Sequence, residues 1–143
     1  MPTTDGPWGA FNFIVEIDGI AEAGFAEVSG LSFETELISY RNGNDKGGVV
    51  RKLPGLTRNS DVTLKRGMVA SLALYQWLRG IADGVDSTRN VVIVLVDAAG
   101  NSVRRFSLSN ARIIKHTSGP LNAAASLLVM EEIVLTHDRL TIE

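Results

Sequence analysis

The chain has no cysteine, so neither a disulfide nor a thiolate metal site contributes to it. That absence suits folding in a reducing compartment. Histidine occurs only twice, as His116 and His137. No H-E-x-x-H, no G-x-S-x-G elbow and no P-loop occurs. The stretch "GNDKGG" at residues 43–48 has glycines and a lysine, but lacks the G-K-[ST] ending and the helix that should follow. Aromatic residues make up 6% of the chain, and none interleaves with the bases after residue 40 to build stacking platforms. The pI of about 5.7 argues against a dedicated nucleic-acid binder. The longest apolar run, "VVIVLV" at residues 91–96, is too short to span a bilayer. The opening "MPTTDGPWGAFNF" has no basic region followed by an apolar one, so no secretory signal is expected. Glu131 and Glu132 are adjacent in a strand pattern and point to opposite faces, which rules out a close carboxylate pair. The expectation is a protein without catalytic residues, cofactor, metal or membrane anchor.

Bases are also missing from one region. Residues 1–40 hold seven acids (Asp5, Glu16, Asp18, Glu22, Glu27, Glu34, Glu36) and no Lys or Arg. Residues 41–66 hold seven bases (Arg41, Lys46, Arg51, Lys52, Arg58, Lys65, Arg66) against Asp45 and Asp61. Two readings stand. The charges neutralise one another within one fold, or acidic and basic surfaces meet between copies, where complementary charge fixes partner and register.

What is present is a run of strand patterns. Length, 143 residues, suits one domain over 1–143 with a core of its own. Residues 11–18 put Phe11, Phe13, Val15 and Ile17 on one face. Residues 31–40 set Phe33, Thr35, Leu37 and Ser39 opposite Glu34, Glu36, Ile38 and Tyr40. Residues 60–66 return to a strand with Val62 and Leu64 inward. Between them lies a charged, glycine-rich stretch, residues 40–57, read as a long loop; such loops are usually functional or disordered. Residues 67–84 place Leu74, Trp77, Leu78 and Ile81 at helical spacing, with Ser71 as a candidate cap and Gly84 as a stop. Residues 89–116 read as a hairpin turning at 97–100, its second strand bent near Ser109-Asn110. A second loop leads to one long strand over residues 126–142. The sum is mainly β: a sandwich or barrel with one flanking helix.

In this order, "FNFIVEIDGI", "AGFAEVSGL", "RNGNDKGGVVRKLPGL", "VTLKRG" with a Trp-bearing helix, "VDAAGNSVRRFSLSNA" and "SGPLNAAASLLVMEEIVLTHDRL" resemble the tail-tube family of contractile-tailed phages and bacterial contractile injection systems. The resemblance implies a structural, non-enzymatic protomer. Six copies form a ring, with inner strands joining a ring-wide β-barrel, and rings stack into a tube. The partners it implies are further copies, a contractile sheath protein, baseplate, hub and terminator proteins, and protein or DNA cargo in the lumen. Assembly would occur in the bacterial cytoplasm, as part of a phage tail or injection particle.

The resemblance makes the loop an intersubunit arm: Tyr40, Arg41, Asn42, Gly43, Asn44, Asp45, Lys46, Gly47, Gly48, Val49, Val50, Arg51, Lys52, Leu53 and Pro54. Its acidic counterpart would be drawn from Asp5, Glu16, Asp18, Glu22 and Glu27. Glu34, Glu36, Thr63, Lys65 and Glu132 are the lumen candidates. The apolar stretch "VASLAL" (residues 69–74) reads either as tight packing or as an apolar contact with the sheath. The alternative functions are a monomeric β-barrel that binds a small ligand, and a secreted effector that only shares the fold.

Overall fold

The computed structural model describes residues 12–22, 24–41, 43, 47–48, 50–124 and 128–143. Ten strands and one helix follow in the order β1 (Asn12–Ile17), β2 (Ile20–Glu22), β3 (Phe25–Ser29), β4 (Phe33–Tyr40), β5 (Arg51–Asn59), β6 (Val62–Gly67), α1 (Ala73–Ala82), β7 (Arg89–Val96), β8 (Ser102–Ser118), β9 (Met130–Thr136) and β10 (Arg139–Ile142). The chain is mainly β with one helix, as its patterns require.

Eight strands share one open sheet, ordered β2-β1-β7-β8-β9-β6-β3, with β10 added along β8. The seventeen-residue β8 belongs to both walls of the sandwich. Its first half pairs with β7 and β10, and its second half with β9. Between the halves, Asn110 takes φ 50, which turns the strand where the sequence suggested a bend. Val15, Ile17, Val91 and Ile93 from one wall meet Val62, Leu64, Ile113, Ile133 and Leu135 from the other. The inward alternation expected for β1 and β6 is therefore present.

The helix is shorter than its pattern, starting at Ala73 rather than near residue 67. Leu72 holds the cap position, and Ser71 Oγ accepts from the Ala73 amide at 3.3 Å. Leu74 and Trp77 are buried, and the Trp77 Nε1–H donates to the Ser87 carbonyl at 3.0 Å. The helix ends as expected at Gly84. With φ 98, Gly84 lets its own amide reach the Ile81 carbonyl (3.1 Å) and the Val85 amide reach Gly80 (2.9 Å), closing a Schellman motif.

Two expectations need correction. Residues 51–57, read as loop, belong to strand β5. The final strand is two, because His137-Asp138 turns the chain so that β10 folds back along β8. The first is a tertiary effect. Pro54 and Gly55 read as a turn, yet here they accommodate a bulge in a long ribbon.

Candidate functional site

Among the described residues, β4 and β5 pair with each other and with no other strand. They continue β3 and β6 beyond the body, as a twisted ribbon kinked at its root. At the kink, Gly30 adopts φ 86, and a Cβ there would lie 2.0 Å from the Asp61 carbonyl oxygen. Only glycine fits both the angle and the approach. The root is tied by a Ser32–Ser60 hydroxyl pair at 2.8 Å and by Asn59 Nδ2 donating to the Asp138 carbonyl at 2.7 Å.

The ribbon's register sets its faces. Ile38 lies opposite Leu53 and Tyr40 opposite Arg51, on one side; Leu37 faces Pro54 and Ser39 faces Lys52 on the other. Between Thr35 and Leu37 the register shifts, because Gly55 and Leu56 oppose Glu36 alone. Both faces carry apolar side chains, and both are in water: Leu37 is 61% exposed, Ile38 55% and Leu56 75%. An isolated two-stranded ribbon is marginal in water. Exposed apolar groups on both of its sides mark it as a surface made for a partner.

Of the arm residues named from the sequence, Tyr40 closes β4, and Arg51, Lys52, Leu53 and Pro54 open β5; Arg41, Gly43, Gly47, Gly48 and Val50 lie at the tip between them. Asn42, Asn44, Asp45, Lys46 and Val49, and Asp5 among the acids, lie outside the described residues.

Several of the acids have partners within the subunit. Glu22 Oε2 pairs with Arg66 Nη1 at 3.3 Å, and Glu27 approaches Lys65 Nζ at 3.9 Å. Glu36 pairs with Arg58 at 2.5 Å, and Asp18 Oδ1 accepts from the Asn90 amide at 3.0 Å. Three acids of residues 1–40 thus pair with bases of residues 41–66 inside the subunit. Thr63, Lys65 and Glu132 share the outward face of the β6–β9 pair, Lys65 directly opposite Glu132. Glu34 and Glu36 instead lie on the ribbon.

The sequence reading missed a buried ionic cluster at the other end of β6. Arg66 is 1% exposed. Its Nε donates to Glu131 Oε2 at 2.7 Å, and its guanidinium lies 5.0 Å from the Phe25 ring centroid. His116 Nε2 meets Glu131 Oε1 at 2.6 Å, and the His116 and Tyr75 rings meet edge to face at 6.1 Å. Burial pushes the Glu131 carboxyl up, but hydrogen bonds from Arg66 and His116 outweigh it and hold the group below its ordinary value. The signal was available: Arg66 continues the inward alternation of Val62 and Leu64, and a buried arginine needs an acid. Beside the cluster is a groove of about 380 Å³ lined by Met68, Leu72, Tyr75, His116, Ser118 and Glu131. Among the described residues, no group of His, Asp and Glu could hold a metal ion, and no helix is long and apolar enough to cross a membrane.

An open β-sandwich that thrusts an apolar ribbon into water belongs to the class of assembly proteins, whose fold is completed by other chains. The family model of the T4-like virus tail tube protein gp19 matches residues 9–141, and the chain belongs to that family. No curated protein matches it. Among solved structures, it is similar to a chain of the PVC sheath-tube complex of an extracellular contractile injection system in the extended state, at 27% identity over 97% of this chain and 93% of that one, with a TM-score of 0.87. It is also similar to a chain of the anti-feeding prophage tube-terminating cap, at 27% identity over 100% and 95%, with a TM-score of 0.86. A chain of the 6-fold symmetrised anti-feeding prophage baseplate shares the fold at 21% identity over 98% and 97%, with a TM-score of 0.77.

Proposed function

We propose that this chain, a single tube domain over residues 1–143, is the protomer of the inner tube of a contractile injection apparatus. Six copies close a ring and rings stack within a sheath, between a baseplate and a terminating cap. The observation that carries this reading is the β4–β5 ribbon, which among the described residues pairs with no other strand and whose two faces both expose apolar groups. A monomer would leave that surface in water. In a head-to-tail assembly the ribbon of one copy lies on another, and such contacts close into rings or run on as filaments. Family membership and the sheath-tube, cap and baseplate relatives support the same reading.

The protomer's work is mechanical rather than chemical. The open edges of the sheet join those of neighbouring copies into a ring-wide barrel, removing edges that would otherwise aggregate. The outward face with Thr63, Lys65 and Glu132 lines the lumen, where mixed charge leaves protein or DNA cargo loosely held. Assembly takes place in the bacterial cytoplasm. A ligand-binding monomer is disfavoured by the open sheet and by the ribbon, which such a protein has no use for. Negative-stain microscopy of particles from the producing cell tests the proposal. Stacked rings of uniform bore containing this chain are expected; a monodisperse monomer at every concentration refutes it.

A further inference from the structure

The β4–β5 ribbon is a lever, so a small error at its foot becomes a large one at its tip. β4 has eight residues, which at about 3.3 Å per residue makes an arm of roughly 26 Å. A tilt of about 10° at the foot then moves the tip by roughly 5 Å, one strand spacing. A surface that must meet a partner in one register gains from having its angle set beforehand. Among the described residues, apolar packing at the foot is slight. Phe33 is 54% exposed there, and beside it opens a cleft of about 410 Å³ lined also by Thr57, Asn59, Asp138, Arg139 and Leu140.

The turn between β9 and β10 holds the foot instead. His137 is buried, and its Nε2–H donates to the Ser60 carbonyl at 3.1 Å. The Asp138 carbonyl accepts from Asn59 Nδ2 at 2.7 Å. The same turn grips the bend of β8 on its other side. The Asp138 amide donates to the Ser109 carbonyl at 2.9 Å, and Asn110 Nδ2 donates to Asp138 Oδ2 at 3.0 Å. Asn110 is the residue at φ 50, an angle that asparagine adopts more readily than most. At that bend β8 passes from one wall of the sandwich to the other. Two hydrogen bonds run from the turn to the foot and two to this corner.

We propose that the His137-Asp138 turn is a bracket that fixes the ribbon's angle against the corner of the sandwich. Asn59, Asn110, His137 and Asp138 are then positioning residues for assembly. The inference deepens the tube reading and rests on it. Each bond alone is modest, but four acting through one short turn leave the foot a single orientation. Without them the ribbon tilts into the cleft, where Phe33 gains cover from Leu140, and each copy must be re-aimed as it joins, at a cost in entropy. Asn59, Asn110 and Asp138 lie at the junction, outside the buried core, so their ties can be cut without unfolding the body.

The chain has no native cysteine, so a pair of labels reads the angle directly. Nitroxides on Lys52→Cys and Ala99→Cys sit on the ribbon and on the turn between β7 and β8. Pulsed dipolar spectroscopy of the unassembled chain should give one narrow distance distribution. Asn59→Ala with Asn110→Gly cuts one tie on each side of the bracket, and should broaden or shift it. The urea midpoint of this paired variant should stay within about 0.3 M of the wild type, since neither site is in the core. Its tubes should need a protein concentration at least about tenfold higher. Asp138→Ala should also raise that concentration, while Asp138→Asn, which keeps an oxygen for Asn110, should match the wild type. A broad distribution in the wild type, or an unchanged one in the paired variant, overturns the inference. So does assembly of the paired variant at the wild-type concentration, a urea midpoint that falls beyond that margin, or Asp138→Asn failing as Asp138→Ala does. Each of these results leaves the tube reading standing. Wild-type particles with no tube of this chain overturn that reading, and with it the bracket's part in assembly.

Discussion

Replacing Arg66 by methionine should cost more than any surface change in this protein. Arg66→Met keeps much of the side-chain volume but removes the charge. Glu131, itself buried, then loses the 2.7 Å donor to Oε2 and keeps only His116. Breaking a buried ion pair from one side typically costs about 3–5 kcal/mol. His116 remains as a partner and Glu22 is partly open to water, so the lower end, about 3 kcal/mol, is expected. Against a total of roughly 5–15 kcal/mol this is a large fraction. Urea unfolding followed through the fluorescence of buried Trp77 measures it. The second half of the experiment is Arg66→Met with Glu131→Met. Removing both charges takes away the stranded carboxylate, and an apolar replacement of the whole pair is often close to neutral. The double variant should therefore recover at least half of the single loss. A single-variant cost under about 1 kcal/mol, or a double variant with simply additive losses, would refute the account of the cluster as a coupled buried unit.

Acid should weaken the same cluster. Glu131 sits below its ordinary pKa in the fold, so it stabilises above the unfolded carboxylate value and that contribution is lost as pH falls through the depressed folded value. The wild-type urea midpoint should drop in that window, while Glu131→Gln drops less; parallel curves would count against the reading. Gly30→Ala forces a Cβ onto the Asp61 carbonyl at a left-handed angle, so it should either unfold the chain or redirect the ribbon. Loss of tubes is expected on microscopy, and normal tubes would show that the kink is not needed. Leu37→Ser, Ile38→Ser and Leu53→Ser together touch only exposed positions, so the unfolding free energy of the unassembled chain should move by no more than about 0.5 kcal/mol per site. Sedimentation should nonetheless show assembly abolished; tubes that persist would remove the ribbon from the interface.

Strands with one clean buried face were legible in the sequence. Val15 and Ile17, or Val62 and Leu64, declare their period because one side meets the core and the other does not. Of the ribbon, β4 was legible within residues 31–40, but β5 was read as loop. Apolar groups on both faces blur the alternation, and Pro54-Gly55 imitates a turn. The buried cluster was hidden for a different reason. Arg66, His116 and Glu131 are far apart in the chain, and only the antiparallel register of β6, β8 and β9 brings them together. Charge counting left open whether the acids meet bases in the same fold or on a sibling, and Asp18, Glu22 and Glu27 have partners at home. Counting gives balance and says nothing of geometry.

The body and the ribbon divide two demands that conflict in most small proteins. The body has an apolar core of its own and an ionic cluster that ties β2, β6, β8 and β9. The ribbon is left unfinished, and an unfinished edge is an aggregation hazard until assembly. Its sequence limits that hazard locally. Pro54 has no N–H to offer, the bulge at Gly55-Leu56 breaks the flat ladder, and the Glu36–Arg58 pair puts charge on the edge. Indiscriminate backbone pairing is thereby discouraged, and side-chain fit is left to choose the partner. It follows that substitutions should sort by location. Those in the body shift the unfolding curve of the unassembled chain, and those on the ribbon shift assembly alone, with Gly30 at the junction able to do both.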